Sequence, residues 1–118
     1  MLTRAEIDSA IDCQRVALAV PEWGGSVWLY PLSLADRFAY YRYMQTAGIL
    51  GADFAPVPGA DASAMQAWLI AAVCRDDAGE RLWPEGDLEQ LKRRSAAVLD
   101  RVFSACQEVC GLGATRPT

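Results

Sequence analysis

No histidine occurs in this chain, so every mechanism built on imidazole as base, shuttle or metal ligand is excluded from the start. Long apolar runs are missing as well. The longest polar-poor stretch, Ala67 to Cys74, falls far short of the roughly 20 residues needed to span a bilayer. The N-terminus, Met1-Leu2-Thr3-Arg4-Ala5-Glu6-Ile7-Asp8, carries acids where an export signal needs an unbroken apolar segment, so a cytoplasmic protein with reduced cysteines is expected. Positive charge is scarce. Eleven Lys and Arg against fifteen Asp and Glu leave a net charge of −4, which argues against nucleic acid and anionic membrane as partners. No glycine pattern that cradles phosphate is present, because Gly24-Gly25 is not followed by a Gly-Lys-Ser/Thr.

The four cysteines give no metal signature. Cys106 and Cys110 share a helix face, but Cys13 and Cys74 stand alone and no Cys-x-x-Cys occurs, so they read as small core residues. The acidic stretch from Asp76 to Glu89 fails as a calcium loop. With Gly79 at the invariant glycine position, Cys74 and Ala78 fall where hard oxygen ligands are required. The same acids read as a solvated turn and not as a general acid/base pair. Lys92-Arg93-Arg94 closes a short helix, where it complements the helix dipole. No catalytic, cofactor or metal site is expected.

What is present is apolar and aromatic. At 118 residues, 53% hydrophobic and 22% charged, the chain should form one domain, 1–112, with a frayed tail at 113–118. It should bury about two-thirds of its unfolded surface. Val16–Val20 and Ser26–Tyr30 flank Pro21-Glu22-Trp23-Gly24-Gly25, predicting an antiparallel β-hairpin whose turn draws on the glycines for positive φ. Val16, Leu18, Val20, Val27 and Leu29 should line a core, with Trp28 and Tyr30 on the opposite face. Both faces therefore need cover.

Helices should dominate the rest. Thr3-Arg4-Ala5-Glu6 has capping-box spacing and predicts a helix to about Asp12, with Ile7 and Ile11 on one face. Ser33 caps a helix to about Gly48, bearing a stripe of Leu34, Phe38, Tyr41 and Gln45 beside a second of Tyr40, Tyr43 and Ala47. Gly48 to Ala62, with Pro56 and Pro58, reads as a flexible loop. Ser63 to Cys74 is apolar nearly all round and belongs at the centre of the core or beneath a partner. A short helix from about Glu85 to Arg93 precedes a final one capped by Ser95. That last helix carries the apolar stripe Leu99, Val102, Phe103, Cys106, Val109 and Cys110, and Gly111 stops it. The expected class is α+β, mostly helical, with four to five helices and one N-terminal hairpin.

With chemistry absent, the aromatic surface carries the functional reading. Trp68 and Tyr41 are expected in the core. Trp23 at the hairpin tip and Tyr40 and Tyr43 on the flanking stripe are the candidate partner-binding residues, since Tyr and Trp anchor interfaces.

The order of these pieces resembles the small tail assembly chaperones of long-tailed bacteriophages and prophages. The segments that carry it are LTRAEIDSA, VPEWGGSVWLYPLS, WLIAAVCRDDAGERLWPEGDLEQL and RRSAAVLDRVFSACQEVCGL, in that order over about 110 positions. None is a catalytic signature. The loop from Ala47 to Ala62 is richer in Gly and Pro than the family pattern, and a charged tail that many relatives carry is not seen after GATRPT. The resemblance implies a non-enzymatic protein of the infected bacterial cytoplasm. It would bind the tape-measure protein, help recruit the major tail protein, and be absent from the finished virion. Self-association stays open, as does a longer frameshifted form. A structural tail-completion or connector component, and a small regulatory protein-binding module, are the alternative readings.

Overall fold

Two apolar runs pair across the N-terminal ribbon, and Gly24 turns it. The computed structural model describes residues 1–10, 14–84 and 86–112. Strand β1 (Val16–Val20) pairs antiparallel with β2 (Gly25–Leu29) in the register Val16–Leu29 to Val20–Gly25. A 3-10 turn at Pro21–Trp23 joins them and closes with Gly24 donating to the Pro21 carbonyl at 2.9 Å. Only Gly24, at φ 82°, uses the left-handed region; Gly25 does not. Replacing Gly24 by alanine is therefore expected to cost about 1 kcal/mol although its Cβ would meet nothing, while Gly25→Ala stays near neutral. Parallel urea melts of the two variants check this, and equal losses would count against the assignment.

Helix α1 (Arg4–Ser9) opens with the expected capping box, Glu6 N–H donating to Thr3 Oγ1 while Thr3 N–H donates to Glu6 Oε1. It ends earlier than expected, where the Ser9 hydroxyl donates back to the Ala5 carbonyl at 3.0 Å. Ile7 is exposed and lines no core, whereas Ile11 and the predicted end at Asp12 lie outside the described residues. So does the predicted tail, 113–118.

Helix α2 (Leu34–Thr46) is capped by Ser33, and α3 (Ser63–Val73) runs straight into β3 (Cys74–Arg75). β3 was not legible as a strand. It pairs with β2, Trp28 opposite Arg75 and Leu29 opposite Cys74, making a three-stranded antiparallel sheet of order β1-β2-β3. Helix α4 (Leu88–Leu91) is shorter than predicted. Asp87 N–H bonds the Pro84 carbonyl in a turn that holds the chain out of helix until Leu88, and Glu85 is outside the described residues. Helix α5 (Ala96–Val109) completes a mostly helical α+β fold of five described α-helices and one sheet.

The core forms around α3, which packs on α2, α4, α5 and β3. Leu69, Ile70 and Val73 are fully buried, as a helix apolar nearly all round requires. The α5 stripe faces them with Leu99, Val102, Phe103 and Cys106, and Leu29 and Val20 bring in the sheet. Val16 contradicts the predicted hairpin core, being 48% exposed near the open end of the ribbon. The other sheet face is covered too. Arg15 stacks 3.8 Å above the Trp28 ring, and the Trp28 indole N–H donates to Asp77 Oδ1 at 2.7 Å. Asp76 in turn organises that acidic turn by accepting from the backbone of Ala78 and Glu80. At the hairpin tip Glu22 meets Arg101 of α5 in a bidentate pair, with 3.0 Å between Arg101 Nη1 and Glu22 Oε2. Arg101 holds the Glu22 carboxyl below its ordinary range, but the pair is solvent-exposed and orients the tip more than it stabilises the fold.

Candidate functional site

α2 carries aromatic rings on several faces, so helical periodicity cannot choose its buried side. The structure turns Tyr40 and Met44 inward and leaves Leu34 and Phe38 largely in solvent, the reverse of the simplest reading of the two stripes. Tyr40 is stacked at 5.2 Å on Trp68 of α3, and Tyr43 packs on the same indole at 5.8 Å. Two rings of α2 are thus spent on the helix–helix contact.

The segment after α2 is ordered by its own backbone, not the flexible loop its Gly and Pro content suggests. Leu50 bridges Pro56, Gly51 N–H donates to the Ala55 carbonyl at 2.9 Å, and Val57 N–H reaches the Ile49 carbonyl at 2.9 Å. The Gln45 side chain ties α2 to it by donating to the Gly51 carbonyl at 3.0 Å. At the tip of this bend Phe54 has φ 63°, the one described non-glycine residue with positive φ. An aromatic residue in that region is strained, by about 1–2 kcal/mol. The strain holds the Phe54 ring edge-on to Tyr41 at 6.1 Å, and Tyr41 meets Phe38 edge-on at 5.9 Å.

Between this aromatic wall and the end of α5 lies an open groove of about 510 Å³. Tyr40 and Met44 form its floor, Phe38, Tyr41 and Phe54 one wall, and Met65 and Leu112 the other. Among the described residues no ionisable side chain other than the two tyrosines lines it, and burial pushes the Tyr40 phenol well above its ordinary range. The lining can accept a row of apolar side chains.

The three residues singled out from the sequence do not converge. Tyr40 lies in the groove but is only 4% exposed, so it supports the floor and is no free anchor. Tyr43 is half-buried against Trp68. Trp23 is elsewhere, half-buried and edge-on to Trp83 at 5.6 Å, beside a second cleft lined by Glu22, Leu82 and Arg94. Phe38, Phe54, Met65 and Leu112 were missed. An aromatic residue inside a Gly/Pro-rich segment was the signal for Phe54.

The described cysteines are core groups. Cys74, Cys106 and Cys110 are buried free thiols, and a hydrogen bond with Cys74, followed by burial, drives the Cys106 thiol far above its ordinary range. Burial likewise raises the Cys110 thiol. Among the described residues no three metal-ligating side chains come together, and no helix is long and apolar enough to cross a membrane. Comparison of the chain with protein-family models, with characterised proteins and with solved structures returned no match.

Proposed function

We propose that this protein is a non-enzymatic tail assembly chaperone of a long-tailed phage or prophage, and that its groove takes an apolar ridge of the helical tape-measure protein. The observation that carries this reading is the open apolar groove with Phe38 and Phe54 half in solvent at its rim. A soluble protein of this size leaves such rings uncovered at a cost in aggregation, and a row of them beside a groove suits a helix laid in lengthwise. The order of sequence segments, which resembles that of the chaperone family, supports the same reading, as does the apolar and aromatic lining of the groove. An acidic surface, net −4, keeps such a binder soluble in a crowded assembly. In this role it acts in the host cytoplasm, also brings major tail protein subunits to the growing tube, and leaves before the virion is complete.

Co-expression with the large helix-rich protein of the same tail operon tests the proposal. Capture of a complex in which that protein stays soluble is the expected result. If the large protein aggregates while this chain elutes free, the chaperone reading fails for that partner. Persistence of this chain in purified virions would make it a structural tail component instead.

A further inference from the structure

β1 lies at an open edge of the sheet, and nothing among the described residues pairs with its outer side. Among the described residues its backbone hydrogen bonds run to β2 alone. The opposite edge is closed, because Arg75 of β3 bridges Arg81. Soluble proteins usually blunt a free edge with a charge, a proline or a bulge, and Val16–Val20 contains none of these. Val16, Ala17 and Ala19 are exposed, and the two alanines leave the outer edge sterically clear. Unpaired N–H and C=O groups spaced along an extended chain are complementary to one kind of occupant, another extended strand.

The sequence says which strand. Val16-Ala17-Leu18-Ala19-Val20 reads identically in both directions. An antiparallel pairing of two copies about a two-fold axis at Leu18 therefore matches like with like. Val16 lies opposite Val20 of the second copy, Ala17 opposite Ala19, and Leu18 opposite Leu18. Each half-site is filled by its own image, the self-complementarity a two-fold interface demands. Pro21, which has no N–H to give, ends the ladder on each side. We infer that the protein forms a symmetric dimer through β1, extending its sheet to twice the present three strands. The exposed face of Val16 is then covered beside the second copy's Val20. Five residue pairs make a small interface, so the dimer should dissociate in the micromolar range. The inference is independent of the groove, which lies on the α2 side of the molecule.

Light scattering and sedimentation equilibrium of the full chain, from about 1 to about 500 µM, provide the first test. The expected result is a concentration-dependent rise towards twice the 12.9 kDa chain mass. Ala17→Lys/Ala19→Lys places like charges directly opposite across the axis in two pairs and should weaken association by about tenfold to thirtyfold. Ala17→Glu/Ala19→Glu should do the same, and mixing the two variants should restore a dimer. Register is read separately. In a Cys13→Ser background, with the described thiols buried, Leu18→Cys should oxidise to a covalent dimer. Val16→Cys should not, since its two copies would stand about 14 Å apart along the paired strands. A folded chain that stays monomeric throughout overturns the inference, even if β1 then accepts a strand from another protein. So does a dimer indifferent to the lysine pair, or one that Leu18→Cys fails to cross-link. Should the lysine variant fail to fold, the Leu18→Cys result decides alone.

Discussion

Ile70→Ala is expected to lower the unfolding free energy by about 3–4 kcal/mol, the largest loss from any single truncation we foresee. Ile70 is fully buried on α3, the helix that touches α2, α4, α5 and β3, so neighbours on several sides would have to move to fill the void. An interior packed on all sides collapses poorly, which puts the cost towards the upper part of the range for large-to-small changes. A domain of this length should lose about 10–15 °C in melting temperature. Ile70→Val, removing one methyl group, should cost only about 1 kcal/mol. Urea denaturation followed by circular dichroism distinguishes them, with an unchanged slope showing that both still unfold in one step. A loss under about 1 kcal/mol for Ile70→Ala would mean that α3 is not the hub of the core.

The second large effect separates binding from stability at Phe54. Phe54→Gly removes a ring from the rim of the groove and relieves a left-handed backbone. The ring's contact with Tyr41 is worth about 0.5–1.5 kcal/mol and the relieved strain about 1–2 kcal/mol, so folding stability should change by less than about 1 kcal/mol. Binding of the tape-measure protein should nonetheless fall about tenfold, and about 100-fold when Phe38→Ala is added, if both rings act as interface anchors. Phe54→Ala loses the same ring but keeps a Cβ at φ 63°. It should therefore be less stable than Phe54→Gly by about 1 kcal/mol while binding equally weakly. Titration calorimetry on the captured complex, beside thermal melts, gives both quantities. Unaltered affinity in the folded double variant would remove the groove from the proposal.

How much of this was readable in advance depends on how far each signal reaches along the chain. The hairpin was legible because its pattern is local: two apolar runs of the right length around a Pro-Glu-Trp-Gly-Gly turn. The α5 stripe was legible because one face is apolar and the other is not. α2 was legible as a helix, through its Ser33 cap, but not in its orientation. Phe38, Tyr40, Tyr41 and Tyr43 give it no apolar side, and only the Trp68 ring on α3 decides that Tyr40 turns inward. β3 escaped notice since two residues carry no period, and their pairing with Trp28 and Leu29 spans more than forty positions. The groove escaped for the same reason. Its walls come from α2, the bend around Phe54 and the end of α5, and no single segment announces them.

The thiols of Cys74, Cys106 and Cys110 give the protein an internal clock. One lies where α3 meets the sheet, one on the inner face of α5 and one at the C-terminal cap of α5, each shielded from water. An alkylating reagent can reach them only when those elements part, so the rate at which they are modified measures how often the centre of the molecule opens. In a chain whose proposed work is to grip an aggregation-prone helix, slower labelling on addition of that helix would register the grip from inside the core, with no probe attached to the groove itself.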